Sequence, residues 1–337
     1  MRRLRSILCC AAVAAALVPS VAHADAAGPG NFQSRVLSVE PATPAIHVSV
    51  EGGDSFLLLR ADQGTRVEVP GYQDEPFLRF EADGKVFENV VSYTSLVSRT
   101  RYVTASPTDT TGLDPQWHEV ADDGSYAWHD HRIHWMSPND PPGRAPGDVI
   151  LRAQIPLLVD GATVTVTVES VWLREPSAAA AWLGGAAGMG VAAAALAFRR
   201  RRWSGLLVVD LALAATVIGW WQFRSLPAET GPRVVWYALP AIACLAAFGA
   251  VFVRGLPHRL SGLGATGLSL LAGANLAVWG WQRSDGLTAA VLPTNAPWWL
   301  DRAVSAAALV GGSVTAAGSL VVLGAVIIAP QKVTSAS

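Results

Sequence analysis

Five long apolar segments in the second half of the chain constrain its fold more than any other feature. A helix of about 20 apolar residues crosses the ~30 Å hydrocarbon core of a bilayer. The chain is 15% charged, against the roughly 25% that is usual in soluble domains, because these segments carry almost no charge. Residues 177–330 are therefore predicted to form an all-α bundle of five transmembrane helices. The predicted spans are 178–198, 204–223, 234–253, 260–281 and 303–329.

Basic residues in the short loops predict how these helices are oriented. Four arginines at 199–202 separate the first two segments, and Arg254, His258 and Arg259 separate the third from the fourth. Lys and Arg are enriched in cytoplasmic loops. Both loops, and the tail 331–337, are therefore predicted to be cytoplasmic. The part of the chain before the helices is then extracytoplasmic, as are the two loops 224–233 and 282–302.

Residues 1–24 have the pattern of a secretory signal peptide, which agrees independently with this orientation. Three arginines precede an apolar stretch that is too short to span a membrane, and "SVAHADA" follows with small residues for cleavage. Cleavage after Ala24 and cleavage after Ala22 both fit the small-x-small rule. Only the second choice leaves His23 as the first residue of the mature chain.

Residues 25–176 are predicted to form the exported all-β domain. Eight short runs rich in β-branched and aromatic residues are separated by turn sequences such as "EGGD" and "VDGA". The segment "EADGKVF" places Asp-Gly between two apolar runs, as in a hairpin, and "VTVTV" alternates in a way that turns one face inward. An Ig-like sandwich or a related Greek-key barrel is expected. The proline-rich "SPNDPPGRAPG" (137–147) is expected to be a surface loop.

The segment "AWHDHRIHWM" (127–136) holds three of the seven histidines of the chain. In an extended strand, His129 and His131 lie on one face and are placed to bind one ion together. His134 joins them only if a bulge intervenes; otherwise it forms a second pair with Met136 on the opposite face. Asp130 is expected to orient the imidazoles through hydrogen bonds.

The ligand types predict which metal this segment binds. Imidazole suits zinc, copper and nickel, and a thioether such as that of Met136 favours copper. Copper is therefore the expected ion, with zinc as the alternative, and the exported His118 is a candidate for a more distant ligand. A structural interpretation stays open beside it, because tryptophan, arginine and histidine in one strand can also pack through hydrogen bonds and cation–π contacts.

Two parts of the sequence resemble known exported proteins. The signal end "VAHADA" is similar to that of CopC-like periplasmic copper proteins, and this resemblance implies His23 as a terminal copper ligand with the 129–134 histidines as partners. Longer stretches, among them "VEVPGYQDEPFLRF" and "VESVWL", resemble an uncharacterised bacterial family of secreted, membrane-anchored β-sandwich proteins. That second resemblance implies the architecture and an association with copper-handling neighbours.

Two polar residues inside the predicted spans need an explanation. A carboxylate at the centre of a membrane helix costs about 2.5–3.5 kcal/mol on insertion scales. Asp210 is therefore expected to face other helices or a cavity, with Asn275 as its hydrogen-bond partner. Such a pair can join helices, and it can also belong to a proton or ion path.

Three functions remain open. A multi-pass membrane protein that binds or delivers a metal ion through its extracytoplasmic domain is the leading interpretation. A structural or protein-interaction module of the cell envelope is the alternative, and a small transporter with an extracellular receptor domain is the third. The chain has no nucleophile elbow or phosphate-binding loop, so no enzyme is expected. Its net charge of −1 gives no field to attract nucleic acid.

Overall fold

The computed structural model describes residues 27–99, 112–201, 203–256 and 261–328. They form a domain of antiparallel β-sheets followed by five long helices, which confirms the predicted fold class. The signal peptide with its two cleavage sites, and the tail 331–337, lie outside the described residues.

Ten strands and one short helix build the β domain. In chain order they are β1 (Phe32–Glu40), β2 (Ile46–Glu51), β3 (Phe56–Ala61), β4 (Val67–Pro70), β5 (Pro76–Phe80), β6 (Val86–Asn89), α1 (Tyr93–Val97), β7 (Trp117–Ala121), β8 (Ser125–His129), β9 (Val149–Val159) and β10 (Ala162–Trp172). A seven-stranded sheet has the order β1-β10-β9-β4-β5-β6-β7, and a three-stranded sheet has the order β2-β3-β8.

The two sheets pack face to face around one apolar core. The alternation in β10 acts as predicted, because Val164, Val166 and Val168 are all at most 1% exposed. From the small sheet, Leu57 of β3 and Trp128 of β8 reach the same core cluster. Neighbouring side chains in a strand point to opposite faces, so the residues on either side of Trp128 must face away from this core.

The five long helices match the predicted spans closely. They are α2 (Ala179–Ala197), α3 (Ser204–Arg224), α4 (Val235–Arg254), α5 (Ser261–Gln282) and α6 (Trp298–Ile328). All five are long and apolar enough to cross a membrane. The last helix begins five residues before the predicted start at 303, because Asp301 and Arg302 interrupt the apolar run but are buried and paired within the bundle.

Small residues bring α2 and α6 into close contact. A methyl group added at Gly184 would overlap the backbone carbonyl of Ala303, and one added at Gly188 would overlap that of Ala307. Tight helix pairs in membranes commonly use such small residues, since packing replaces the missing hydrophobic force. The Gly and Ala content of these spans therefore has a direct structural role.

The β domain contacts one end of the helical bundle. Gly30 and Val291 exchange backbone hydrogen bonds of 3.1 and 2.8 Å, and the Ala127 N–H of β8 donates to a Glu229 carboxylate oxygen at 2.9 Å. Leu226, in the α3–α4 loop, packs in an apolar cluster with Phe56 and Ala127. The α3–α4 and α5–α6 loops therefore face the β domain, and Arg199 and Arg254 lie at the opposite end of the bundle.

Candidate metal centre

The histidine segment leaves the sheet directly after His129. The prediction of an extended strand across 127–136 is wrong, because β8 ends at His129 and a turn follows. The backbone N–H of Ile133 donates to the Asp130 carbonyl at 3.1 Å, and the N–H of Arg132 donates to the Asp130 carboxylate at 2.9 Å. Ile133 is fully buried in the sandwich core, which fixes the turn from its inner side.

Asp130 stabilises this turn through its carboxylate, and its role in orienting an imidazole stays a prediction. Its carboxylate accepts hydrogen bonds from the Trp128 indole at 3.0 Å and from the Arg132 guanidinium at 2.7–2.9 Å. Burial by itself raises the pKa of Asp130, but the charge and hydrogen bonds of Arg132 outweigh it and hold the pKa below its usual range. The ionised carboxylate thus orders the turn that carries the histidines, and in these contacts it does not orient an imidazole.

The turn brings all three histidines together. Each ring offers one nitrogen, and these nitrogens lie within 4.8 Å of one another. The ring centroids of His129 and His134 are 4.7 Å apart, and those of His129 and His131 are 5.2 Å apart. The sequence predicted that His134 could join His129 and His131 only if a bulge intervened. In the structure the turn after β8 brings it to them.

Backbone carbonyls define which nitrogen of two of the rings can bind a metal. Nδ1 of His129 lies 2.6 Å from the Ser55 carbonyl oxygen, and Nδ1 of His134 lies 3.1 Å from that of Trp135. A carbonyl only accepts, so Nδ1 carries the hydrogen in each contact and Nε2 keeps its lone pair. Metal-binding histidines usually have this arrangement, in which the second nitrogen donates to an oxygen that orients the ring.

Tyr72 supports the third histidine. Its ring stacks on that of His131 with the centroids 5.9 Å apart. Its hydroxyl accepts a hydrogen bond of 2.8 Å from the backbone N–H of His131. The helix α1 fixes Tyr72 in turn: the Thr94 hydroxyl accepts from the Tyr72 N–H at 2.7 Å, and Ser98 pairs with its hydroxyl at 2.9 Å. His131 is the most accessible of the three rings, since His129 and His134 are only 5% and 1% exposed.

The three histidines can reach one transition-metal ion if their rings move closer together. Zinc binds imidazole nitrogen at about 2.0–2.1 Å, and at tetrahedral angles two such nitrogens lie about 3.4 Å apart. The separation of up to 4.8 Å therefore requires the rings to approach one another by up to about 1.4 Å when the ion binds. Three imidazoles form a donor set that suits copper or zinc.

The other predicted ligands are Met136, His118 and His23. Met136 is 36% exposed and follows the turn that replaces the predicted strand, so its role as a ligand stays a prediction. His118 is an exposed residue of β7, in the other sheet, where it pairs with Glu88. His23 lies outside the described residues, so the terminal-ligand prediction stays a prediction.

The sequence pattern missed the residues that support the site from other strands. Ser55, at the start of β3, contributes only its backbone carbonyl, which no residue type can signal. Tyr72 lies in the β4–β5 turn, about 60 residues before the histidines it contacts. The pairing of Phe56 with His129 across β3 and β8 brings Ser55 to the site, and this register is visible only in the folded sheet.

The polar contacts within the bundle also differ from those predicted. Asn275 donates to the Leu271 carbonyl of its own helix at 2.9 Å, and Asp210 is exposed on the surface of α3. The expected hydrogen bond between them is therefore not among the contacts of the described residues. An amide that bonds to the preceding turn of its own helix needs no partner on another helix.

A buried ion pair lies instead at the end of the bundle that faces the β domain. The Arg283 guanidinium donates to both carboxylate oxygens of Asp301 at 2.7 and 2.6 Å. It also donates to Ser305 and to Gln222, and it lies 4.7 Å from the Trp279 ring centre. The sequence assigned Arg283 and Asp301 to an outer loop, since charges end an apolar run. Only the folded bundle shows that they are buried.

A comparison with protein-family models finds no matching family, and searches of curated proteins and of solved structures find no significant match. The resemblances at the signal end and along the β domain therefore stay predictions. The functional argument rests on the geometry of the histidine cluster and on the membrane helices.

Proposed function

We propose that this multi-pass membrane protein binds a transition-metal ion through the imidazoles of its histidine cluster. The proposed ion is copper, with zinc as the alternative. The single observation that carries the proposal is the convergence of His129, His131 and His134 within 4.8 Å. Two features support it: the carbonyl contacts at Nδ1 present Nε2 as the ligand atom, and the cluster lies at an edge where His131 is reachable from solvent.

Binding or delivery of the ion is the proposed role, without catalysis. The contact of β8 with the α3–α4 loop supports a membrane-attached site, because Ala127 bonds to Glu229 only two residues before the first ligand. The arginines at 199–201 are at the end of the bundle away from the β domain. The positive-inside rule then supports an extracytoplasmic site and a cytoplasmic C terminus.

A metal titration of the full-length protein in detergent tests this function. We expect the unmodified protein to bind one Cu(II) or Zn(II) per chain, measured by calorimetry against a competing chelator. Replacing both His129 and His131 with alanine removes two of three ligands, and the affinity should fall by more than about 100-fold, beyond the 10–100-fold typical of lost supporting contacts.

The matched control removes two histidines that lie outside the cluster. His47 and His118 are both exposed strand residues of the same domain, so the double substitution His47→Ala/His118→Ala should leave the affinity unchanged. Equal loss in both double variants would indicate nonspecific binding by surface imidazoles. No saturable binding to the unmodified protein would leave the cluster as a structural element of an envelope module.

A further inference from the structure

A second site is formed by the helices alone, at the end of the bundle opposite the β domain. All five helices contribute to a narrow cleft that opens at this end of the bundle. Its polar lining consists of two arginines and four hydroxyl side chains: Arg199, Arg254, Thr266, Ser269, Thr315 and Ser319. Neither the metal proposal nor the packing of the bundle requires such a concentration of donors.

The position of Arg254 indicates a built site. The residue is half-buried at the last turn of α4, and its guanidinium donates to the Ser269 hydroxyl of α5 at 3.2 Å. Gly205 of α3 packs against the same part of α4, since a methyl group added there would overlap Val251 and lie 3.3 Å from the guanidinium. Among the described residues, no carboxylate lies within ion-pair distance of Arg254 or Arg199.

The sequence shows that acidic side chains are missing from this end of the helices. The segments 195–209, 245–270 and 311–337 contain no Asp or Glu, although they carry seven arginines and lysines between them at 199–202, 254, 259 and 332. A half-buried guanidinium in a membrane protein normally pairs with an anion or with several carbonyls. Among the described residues Arg254 has no anionic partner, so a bound anion would supply its neutralising charge.

Hydroxyl groups complete the donor set on the inner side of the cleft. Thr315 and Ser319 lie one turn apart on α6 and are 4% and 2% exposed. Ser269 already donates to the Ala265 carbonyl and accepts from Arg254. Arginine and hydroxyl donors around an anion are typical of phosphate recognition, and basic pockets between helices at the cytoplasmic face bind anionic lipid headgroups.

We infer that this cleft binds a phosphate group, carried by an anionic lipid headgroup or by a free phosphate, with Arg254 as the central donor. The inference is independent of the metal proposal. Phosphate oxygens at the mouth of the cleft accept from the guanidinium, and Thr315 and Ser319 provide hydroxyl donors behind it.

Lipid titration of the purified full-length protein, followed by native mass spectrometry, tests the site. The probes are dioleoyl phosphatidylglycerol, the zwitterionic dioleoyl phosphatidylcholine, and inorganic phosphate as a competitor. We expect phosphatidylglycerol to bind more tightly than phosphatidylcholine. Arg254→Ala should weaken phosphatidylglycerol binding by more than about tenfold, because a hydrogen bond to a charged group contributes about 1.5–3 kcal/mol.

The control variant is Arg200→Ala, which removes the same charge from the adjacent loop but not from the cleft. It should weaken binding by no more than about fivefold, which is the general contribution of ~1 kcal/mol for a basic residue near an anionic surface. Equal effects of Arg200→Ala and Arg254→Ala would overturn the site, because general surface charge would then explain the binding. Binding of inorganic phosphate that depends on Arg254, without lipid selectivity, supports the anion site and assigns it to a soluble ligand.

A second pair of variants protects the test against misfolding of Arg254→Ala. Thr315→Val removes one hydroxyl of the cleft without changing shape or charge, and it should weaken binding about fivefold. Thr216→Val removes a helix hydroxyl that lines no part of the cleft and should have no effect. If neither phosphatidylglycerol nor phosphate binding responds to Thr315→Val or Arg254→Ala in folded protein, the inference is wrong.

Discussion

The buried ion pair between Arg283 and Asp301 provides the most quantitative prediction for the bundle. Their side chains are 11% and 4% exposed, and the two Nη2 contacts are 2.7 and 2.6 Å. Replacing Asp301 with asparagine keeps the shape but leaves a buried guanidinium without its counter-charge. Removing one partner of a buried pair costs about 3–5 kcal/mol.

This loss should be visible in thermal unfolding of the full-length protein. For a unit of 150–250 residues, each kcal/mol shifts the Tm by roughly 2–4 °C. Asp301→Asn is therefore expected to lower the unfolding midpoint of the helices by roughly 6–20 °C. The assay is far-ultraviolet circular dichroism, in which the helical signal is dominated by the bundle.

Two further variants separate burial from charge. Glu119→Gln breaks the Lys85–Glu119 pair, whose side chains are 47% and 44% exposed, and exposed pairs contribute only about 0–1 kcal/mol. Combining Asp301→Leu with Arg283→Met replaces the buried pair by apolar groups and should recover much of the loss. A shift for Asp301→Asn no larger than that for Glu119→Gln would contradict the burial argument.

Three other predictions concern the β domain and the helix contacts. Gly184→Ala should destabilise the bundle by about 1–3 kcal/mol in denaturant unfolding, because the added methyl group overlaps α6. Gly190 has open space around it, so Gly190→Ala should leave the stability unchanged. Tyr72→Phe removes the acceptor for the backbone N–H of His131. In the metal titration it should weaken binding about tenfold, the lower end of the effect of a lost supporting contact. An unchanged affinity would show that the hydroxyl does not position His131. Burial raises the pKa of Glu75, but hydrogen bonds from α1 lower it below its usual value overall. Its contribution to stability is therefore present above pH ~4.3, the ordinary carboxyl pKa, and is lost as the pH falls through the lower, folded pKa. An acid titration of Glu75→Gln should lack this loss, and a matching acid-induced decrease in that variant would refute the assignment.

Much of the architecture follows from short-range patterns. The apolar runs predicted four of the five helices to within one residue at each end, and the last helix begins five residues before its predicted start. The alternation of Val164, Val166 and Val168 predicted the buried face of β10. Helix-length hydropathy and period-two alternation are properties of contiguous residues that many side chains reinforce together. One or two exceptional residues therefore do not change the outcome.

The three histidines were identified as candidates from their spacing, but their arrangement was decided by the tertiary structure. Whether His134 joins His129 and His131 depends on the turn at Asp130, and that turn exists because Arg132 pairs with the carboxylate while Ile133 enters the core. A strand and a turn place the same residues on different faces. The choice between them came from contacts that the local pattern does not contain.

The remaining features depend wholly on contacts between distant parts of the chain. Ser55 and Tyr72 reach the histidines through strand register and through α1, and Arg283 meets Asp301 only after α5 and α6 pack. The sequence alone determined which segments enter the membrane and which form strands, because those outcomes sum over many neighbouring side chains. The tertiary structure decided the sites, because a few hydrogen bonds between residues far apart in the chain set the position of each donor atom.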